Sequence, residues 1–264
     1  EGYKGLINDN MVLVKSPSDV SNIITKGGTV LYTDRCLEFK TEEGMAKAIA
    51  VCEKNHIDGI IAIGGDGTFR GATDLSKRGI PTIGIPGTID NDITSTDYTI
   101  GFDTAMNTVI DMVDRLRDTC ESHARCDVVE VMGRWAGHIA LRTAIATGAT
   151  AVAVAEIPFD EDKAIEDIKR ARAGGKRAFI VIVSEGLPGY AEQLAKTIQD
   201  KTGVETKFAR LAHVQRGGSP TLMDRLVASE MGVYAVDQLL AGHSDLVVCK
   251  VDDKICCTDI KYAL

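Results

Sequence analysis

The stretch "GGDGT" at residues 64–68 directly follows the apolar run "IDGIIAI" at residues 57–63. A short continuous apolar run is typical of a buried parallel strand, and glycines at its end let the chain turn sharply into a helix. The pair "IPTIGI" at residues 80–85 and "PGTIDND" at residues 86–92 repeats the arrangement. The spacing predicts two neighbouring strands whose carboxyl ends carry polar loops, the place where open α/β sheets bind ligands.

Strand-like and helical patterns alternate along the rest of the chain. Further apolar runs predict strands within residues 126–133, 149–158, 177–186 and 245–251. A helix is predicted over residues 103–119, because apolar residues recur there every three or four positions, at Met106, Val109, Ile110, Val113 and Leu116. Residues 42–55 show a second such pattern. Alternating strands and helices predict mainly parallel sheets with helices on their faces.

Composition excludes several classes of protein. The chain has 264 residues and a net charge of −8, which argues against a nucleic-acid or acidic-membrane partner. No apolar run approaches the roughly 20 residues of a membrane helix, and no signal peptide is apparent. The seven cysteines include no C-x-x-C pattern, which favours reduced thiols in the cytoplasm over disulfides or a zinc site.

The glycine-rich turn at residues 64–68 is a candidate phosphate site. Glycines allow close backbone approach, and the N-terminus of the following helix attracts anions. Asp66 would repel a phosphate unless a cation bridged them, so its presence points to Mg²⁺. The alternative is an ordinary turn with a capping aspartate, and the short motif alone does not choose between the two.

The second turn offers a candidate general base. If residues 90–92 are extended, Asp90 and Asp92 lie on one side, where mutual repulsion would favour proton uptake by one of them. A hydroxyl nucleophile needs such a base, and Thr88 could orient it. The alternative is a type I turn that uses Asn91 and Asp92 in their usual turn roles.

Five motifs in order resemble the bacterial type of ATP-dependent 6-phosphofructokinase. They are "GGDGT", "PGTIDND", "VVEVMGRWAGHIAL" (128–141), "SEG" (184–186) and "HVQRGGSP" (213–220). The resemblance implies transfer of the γ-phosphate of ATP to the 1-hydroxyl of fructose 6-phosphate, with Mg²⁺, in a cytoplasmic homotetramer under allosteric control. It also implies two Rossmann-like three-layer α/β/α domains with the active site in the cleft between them.

The resemblance assigns roles residue by residue. Asp66 matches the magnesium ligand, Asp90 the base, and Arg134 the arginine that steadies the transferring group, with Thr88 and Asp92 beside them in the catalytic loop. The implied sugar-phosphate contacts are Thr88, Ile89, Asp90, Met132, Gly133, Arg134, Glu185, His213, Val214, Gln215 and Arg216. The implied ATP contacts are Arg35, Cys36, Gly65, Asp66, Gly67, Thr68 and Gly71.

Two further basic residues are implied to reach the sugar phosphate of a neighbouring subunit. Arg125 matches the first, while Lys207 stands where relatives carry arginine, so the charge is kept and the bidentate fork is lost. Arg210, three residues on, could compensate. For effector binding, Arg117 and Lys176 match basic positions of the family, whereas Pro17, Thr150 and Gly174 depart from its pattern.

The expected donor is ATP. Pyrophosphate-using relatives tend to carry a bulky or charged residue in place of Gly67 and a lysine in place of Gly87, whereas both are glycine here. The expected domains are residues 1–101 with 214–264, binding ATP, and residues 102–213, binding the sugar phosphate. The chain also looks like a fragment that lacks the family's first glycine-rich strand and its extreme C-terminus. The alternatives are a pyrophosphate-dependent enzyme, an inactive regulatory paralogue, and an NAD or lipid kinase that shares "GGDGT" but lacks the later motifs.

Overall fold

The computed structural model describes residues 1–264, which form two compact α/β units. Unit 1 comprises residues 1–88, 93–101 and 219–264, and unit 2 comprises residues 89–92 and 102–218. The helices are α1 Gly2–Ile7, α2 Glu42–Lys54, α3 Asp66–Ser76, α4 Phe102–His123, α5 His138–Thr147, α6 Glu161–Ala173, α7 Tyr190–Thr202 and α8 Leu222–Leu240. The strands are β1 Ile60–Gly64, β2 Thr82–Pro86, β3 Cys126–Val131, β4 Ala151–Ala153, β5 Phe179–Ser184, β6 Thr206–Arg210, β7 Leu246–Val251 and β8 Lys254–Asp259.

Unit 1 is built on a sheet of strand order β1-β2-β7-β8. Its pairs are parallel except β7 with β8, which is antiparallel. Side chains alternate between the two faces of β7, so Val247 packs with Phe69 of α3 while Val248 packs with Met231 of α8. Gly84 of β2 lacks a side chain where a Cβ would lie 2.8 Å from the Phe69 ring. Helices therefore cover both faces of this sheet.

Unit 2 is built on an all-parallel sheet of order β4-β5-β3-β6. On β5, Phe179, Val181 and Val183 share a buried cluster with residues of α6 and α7. Ile180 and Ile182 alternate with them and are also fully buried, which places them on the face that α4 and α5 cover. Burial on both faces explains why these strands read as continuous apolar runs.

The sequence predicted the fold class correctly, and every strand predicted from an apolar run is present. Two strands were not predicted. β6, "TKFAR", carries two charges in five residues, and β8, "KICCTD", lies at a sheet edge with mixed polarity. Neither has the apolar continuity of a buried strand. Within α4, Val109 and Val113 of the predicted apolar face are fully buried. No helix combines the length and apolar character needed to cross a bilayer.

The unit boundaries place two short segments differently from the predicted domains. Residues 89–92 and 214–218 group with unit 2, whereas the prediction assigned them to the ATP-binding domain. Both carry predicted sugar-phosphate or catalytic residues. The nucleotide-binding and sugar-binding roles of the two units remain predictions.

Candidate active site

The glycine-rich turn of unit 1 joins β1 to α3, as predicted. Gly65 is the N-cap residue of α3, and its carbonyl accepts the amide N–H groups of Thr68 and Phe69 at 2.9 and 3.1 Å. No side chain caps the helix. A Cβ at Gly64 would lie 2.3 Å from Thr68 Oγ1, whereas a Cβ at Gly67 would meet no atom within 4 Å. Close packing against Thr68 therefore requires glycine at position 64, whereas a side chain at position 67 would enter open space.

Asp66 is the first residue of α3 and forms an ion pair within its own helix. Arg70 donates from Nη2 to Asp66 Oδ1 at 2.9 Å and from Nε to Oδ2 at 3.1 Å. The aspartate side chain is 43% exposed. One accessible carboxylate fits the way Mg²⁺ binds alongside substrate phosphates, since this ion takes few protein ligands and keeps several waters. No cluster of three or more His, Cys, Asp or Glu side chains that could hold a metal ion is present.

The other predicted ATP contacts differ in accessibility. Arg35 is exposed, and Cys36 is partly buried against the cluster around Phe39. Gly71 is buried, and a Cβ there would lie 2.5 Å from the Tyr3 ring. Packing alone accounts for glycine at 71. The ATP contacts of all three residues remain predictions.

The second turn also begins at a strand end, because it follows β2 and contacts the glycine-rich turn. The Gly87 amide donates to the Gly64 carbonyl at 2.9 Å, which joins the two loops of unit 1. A Cβ at Gly87 would lie 3.0 Å from Ile63 Cγ2. Thr88 accepts a hydrogen bond at its carbonyl from Thr99 Oγ1 at 2.6 Å. These contacts fix the backbone that leads into residues 89–92.

Asp90 and Arg134 lie together in unit 2. Arg134 Nε lies 3.2 Å from Asp90 Oδ2, and the Asp90 side chain is 7% exposed against 63% for Arg134. A buried carboxylate beside an exposed guanidinium places a proton acceptor next to a cation that can offset developing negative charge. The structure thus brings together the two residues predicted to act as base and transition-state cation.

The expectation that Asp90 and Asp92 point to one side is wrong. Asn91 adopts a left-handed conformation with φ 51°, so the segment turns between the two aspartates instead of remaining extended. Asp90 is buried and Asp92 is exposed. The charged group that the structure shows beside Asp90 is the guanidinium of Arg134. Turn chemistry, the alternative weighed from the sequence, accounts for Asn91.

Glu185 holds the turn that carries Arg134. Its Oε1 accepts the amide N–H of Gly133 at 3.1 Å and that of Arg134 at 2.8 Å. Arg134 has φ 52° and Gly133 φ 134°. Side chains disfavour such angles, and at Gly133 a Cβ would lie 2.5 Å from the Ala136 carbonyl oxygen. The carboxylate therefore stabilises a strained turn, a role that the sequence did not suggest for a predicted sugar contact.

Gln215 joins the "HVQRGG" motif to the same turn. Its Oε1 accepts the amide N–H of Met132 at 3.2 Å, and its Nε2 donates to the Ala212 carbonyl at 3.0 Å. Gln215 is 1% exposed. It lies in the 3₁₀ turn Ala212–Arg216, where residues three apart lie on one side. His213 and Arg216, both exposed, are three apart and can face a single anionic group. Val214 is exposed as well.

The two basic residues predicted to reach a neighbouring subunit are joined by Glu205. Arg125 Nε lies 2.8 Å from Glu205 Oε2, and Lys207 Nζ lies 2.9 Å from Glu205 Oε1. Glu205, which directly precedes β6, was not predicted as their partner. Arg125 precedes β3 and Met132 follows it, so the two lie at opposite ends of a six-residue strand, roughly 20 Å apart at 3.3 Å per residue.

Two candidate effector residues contact the loop between α5 and β4. The Arg117 guanidinium donates to the Thr147 carbonyl, and Lys176 Nζ donates to Thr150 Oγ1 at 3.4 Å. Regulated relatives are expected to carry an acidic residue at position 150. In this chain the Thr150 hydroxyl accepts a hydrogen bond from Lys176 and no ion pair forms there. Effector binding remains a prediction.

Comparisons with known proteins identify relatives of the chain. The family profile described as phosphofructokinase matches residues 1–239. The ATP-dependent 6-phosphofructokinase 1 of Clostridium perfringens is 51% identical over 263 residues, which span 100% of this chain and 82% of that protein. The ATP-dependent 6-phosphofructokinase of Clostridium botulinum is 50% identical with the same coverage.

Solved structures give the same result. Phosphofructokinase from Saccharomyces cerevisiae superposes with a TM-score of 0.92 at 32% identity, covering 100% of this chain and 40% of that chain. The T-state phosphofructokinase of Pichia pastoris gives a TM-score of 0.92 at 33% identity and covers 100% of this chain and 31% of that one. The fold and these relatives together define an α/β protein of the phosphotransferase class. The chain belongs to the phosphofructokinase family.

Proposed function

We propose that the protein transfers the γ-phosphoryl group of ATP to the 1-hydroxyl of fructose 6-phosphate, giving fructose 1,6-bisphosphate and ADP. The observation that carries the proposal is the pair of Asp90 and Arg134, whose side chains lie 3.2 Å apart, with Arg134 on a turn held by Glu185. The names of the Clostridium relatives support ATP as donor.

Asp90 is the base in this mechanism. It accepts the proton of the sugar hydroxyl as that oxygen attacks phosphorus, which general-base catalysis makes faster by about 10² to 10⁴. Arg134 is exposed enough to leave the carboxylate and contact the equatorial oxygens of the transferring group. Phosphoryl transfer asks a protein mainly for alignment and charge neutralisation, and these two side chains supply both.

Asp66 is the residue that would hold Mg²⁺. The ion supplies charge neutralisation at the phosphate oxygens when it is bound. Arg70 donates hydrogen bonds to both carboxylate oxygens of Asp66, so metal binding requires the guanidinium to move away from them. An exposed ion pair between residues four apart is worth only about 0.3–0.5 kcal/mol, so this rearrangement costs little.

His213 and Arg216 bind the 6-phosphate, and Arg125 and Lys207 bind that of a neighbouring subunit in a homotetramer. The support is positional, because Arg125 and Lys207 lie at the end of the sheet opposite to Met132 and Gly133. One copy of the chain cannot direct both basic pairs at one phosphate across about 20 Å of strand. We place the protein in the cytoplasm, in keeping with its free cysteines.

A coupled assay with fructose 6-phosphate and Mg²⁺, offering either ATP or pyrophosphate, tests the proposal. Turnover with ATP and none with pyrophosphate is the expected result. Turnover with pyrophosphate alone would identify a pyrophosphate-dependent enzyme. Binding of fructose 6-phosphate without turnover on either donor would identify a regulatory paralogue.

A further inference from the structure

Arg210, at the end of β6, forms an ion pair with a buried carboxylate on β3. Arg210 Nε lies 2.6 Å from Glu130 Oε1, and the Glu130 side chain is 9% exposed. The two residues are register partners, and the Leu211 amide donates to the Glu130 carbonyl at 3.1 Å. The Arg210 guanidinium also lies 5.4 Å from the centre of the Phe208 ring. The guanidinium thus contacts the Glu130 carboxylate and the Phe208 ring, although the Arg210 side chain is 55% exposed.

Glu130 continues the apolar face of β3. Cys126 and Val128 lie on that face in the cluster beneath α7, and side chains of a strand alternate, so Glu130 and Met132 follow on the same side. The carboxylate therefore ends a buried row, and Glu130 lies three residues before Gly133, where the turn with Arg134 begins. A buried carboxylate needs a partner charge, and Arg210 supplies it.

Arg210 also compensates carboxylates beyond its ion-pair partner. The hydrogen bond to Glu130 raises the pKa of Arg210, and the negative charges of Glu130, Glu192 and Glu185 raise it further. Glu185 accepts the amides of the catalytic turn. Glu192 also pairs with Lys196, so loss of Arg210 would leave Glu130 without its ion-pair partner and Glu185 without this positive charge, near the strand ends that lead to the proposed sugar-phosphate site. The resulting negative field repels an anionic substrate.

We infer that Arg210 is a positioning residue whose positive charge offsets the carboxylates beside the catalytic turn. This compensation allows an anionic sugar to bind at the sugar-phosphate site. The inference rests on the proposed function. It differs from the sequence-based suggestion that Arg210 replaces the missing arginine at 207, because its guanidinium is directed to Glu130 and not to the group around Glu205.

The test compares Arg210→Met, Arg210→Lys, Glu130→Gln and the double variant Arg210→Met/Glu130→Gln in the full chain. Calorimetry gives the Kd for fructose 6-phosphate at low and high salt, and the coupled assay gives KM for both substrates. Arg170→Met is the matched control, since Arg170 pairs with Asp167 on the exposed surface of α6.

Arg210→Met should weaken fructose 6-phosphate binding about tenfold, the scale of one uncompensated charge near a partly buried site, with KM for ATP little changed. High salt should reduce the difference in the Kd for fructose 6-phosphate between Arg210→Met and the parent protein. Arg210→Lys and the double variant should recover most of the affinity, and Glu130→Gln should bind slightly more tightly than the parent protein. Arg170→Met should behave like the parent protein.

Other outcomes would overturn the inference. These are unchanged sugar-phosphate binding in Arg210→Met, an equal loss for ATP, or a double variant as weak as Arg210→Met. If Arg210→Met does not fold, Glu130→Gln decides, because weaker binding in that variant contradicts a charge role. Absence of turnover in the parent protein, with a measurable Kd, would count against the proposed function and leave this comparison intact.

Discussion

The guanidinium of Arg134 lies 3.2 Å from the buried carboxylate of Asp90, although the two residues come from different loops of the sequence. Their exposures differ: the carboxylate is fixed in the interior and the guanidinium is mostly in solvent. A buried carboxylate beside an exposed guanidinium fits the proposed reaction, in which Asp90 stays near the hydroxyl while Arg134 contacts the phosphoryl group.

Replacement of Asp90 by serine should abolish most turnover and spare substrate binding. Serine cannot accept a proton at neutral pH, so kcat should fall by about 10² to 10⁴. The Kd for fructose 6-phosphate should stay the same or decrease, because an anion-repelling carboxylate is removed and the 6-phosphate is bound elsewhere. Stopped assays and calorimetry on the same preparation measure both quantities.

Asp200→Ser is the matched control, since Asp200 is an exposed aspartate on α7, and it should leave both quantities unchanged. Full turnover in Asp90→Ser would show that another group is the base.

The sequence predicted the loops of this site but not the hydrogen bonds that anchor them. Strand ends and glycine turns are local, so "GGDGT" and "PGTIDND" could be placed from periodicity alone. The contact of Asp90 with Arg134 came from the family resemblance. The anchoring of Arg134 by Glu185 and of Met132 by Gln215 depends on left-handed backbone at 133 and 134, which no residue pattern indicates for an arginine. Glu130, Glu205 and Arg210 were missed as partners because β6 lacks a strand-like apolar pattern.

Replacement of Gln215 by leucine should destabilise the protein. Leucine fills a similar volume but leaves the buried Met132 amide without its acceptor and the Ala212 carbonyl without its donor. An unsatisfied buried polar group costs about 1–3 kcal/mol of unfolding free energy. Urea unfolding followed by circular dichroism measures it, with Gln193→Leu on exposed α7 as the control. An equal loss in both variants would show that the buried bonds of Gln215 contribute nothing.

Replacement of Gly87 by lysine should impair use of ATP. The new Cβ would lie 3.0 Å from Ile63 Cγ2, and the chain beyond it would place bulk and a cation beside the glycine-rich turn. We expect kcat/KM for ATP to fall about tenfold or more. Gly232→Lys places the same side chain on α8, where no atom lies within 4 Å, and should have no effect. An unchanged kcat/KM in Gly87→Lys would remove the argument that glycine at 87 admits the nucleotide.

Asp127 should make stability depend on pH. Burial raises the pKa of its carboxyl, although the Cys120 thiol, 3.0 Å away, and the charges of Arg125 and Lys207 act in the opposite direction. A raised folded-state pKa means that the stability from Asp127 is present below its unfolded pKa and is lost as pH rises through the folded one. Asp127→Asn should therefore unfold at higher urea than the parent protein at pH 7, with the difference vanishing near about pH 4.

Asp118→Asn on the exposed side of α4 is the control for this titration and should show no such pH-dependent difference. If the stability difference between Asp127→Asn and the parent protein were the same at pH 7 and near about pH 4, the assignment of the pH dependence to Asp127 would be wrong.

Mixing of inactive variants should test whether Arg125 serves a neighbouring subunit. Asp90→Ser lacks the base and Arg125→Ala lacks a cation that we assign to the adjacent copy, so each is poorly active at low fructose 6-phosphate. In a randomly mixed homotetramer, about a quarter of all sites combine an intact Asp90 from one copy with an intact Arg125 from another. Refolding the two variants together should therefore restore roughly that fraction of activity. Asp90→Ser mixed with Arg134→Ala should restore none, because both residues belong to one copy, 3.2 Å apart. Equal recovery in both mixtures, or in neither, would contradict the shared site.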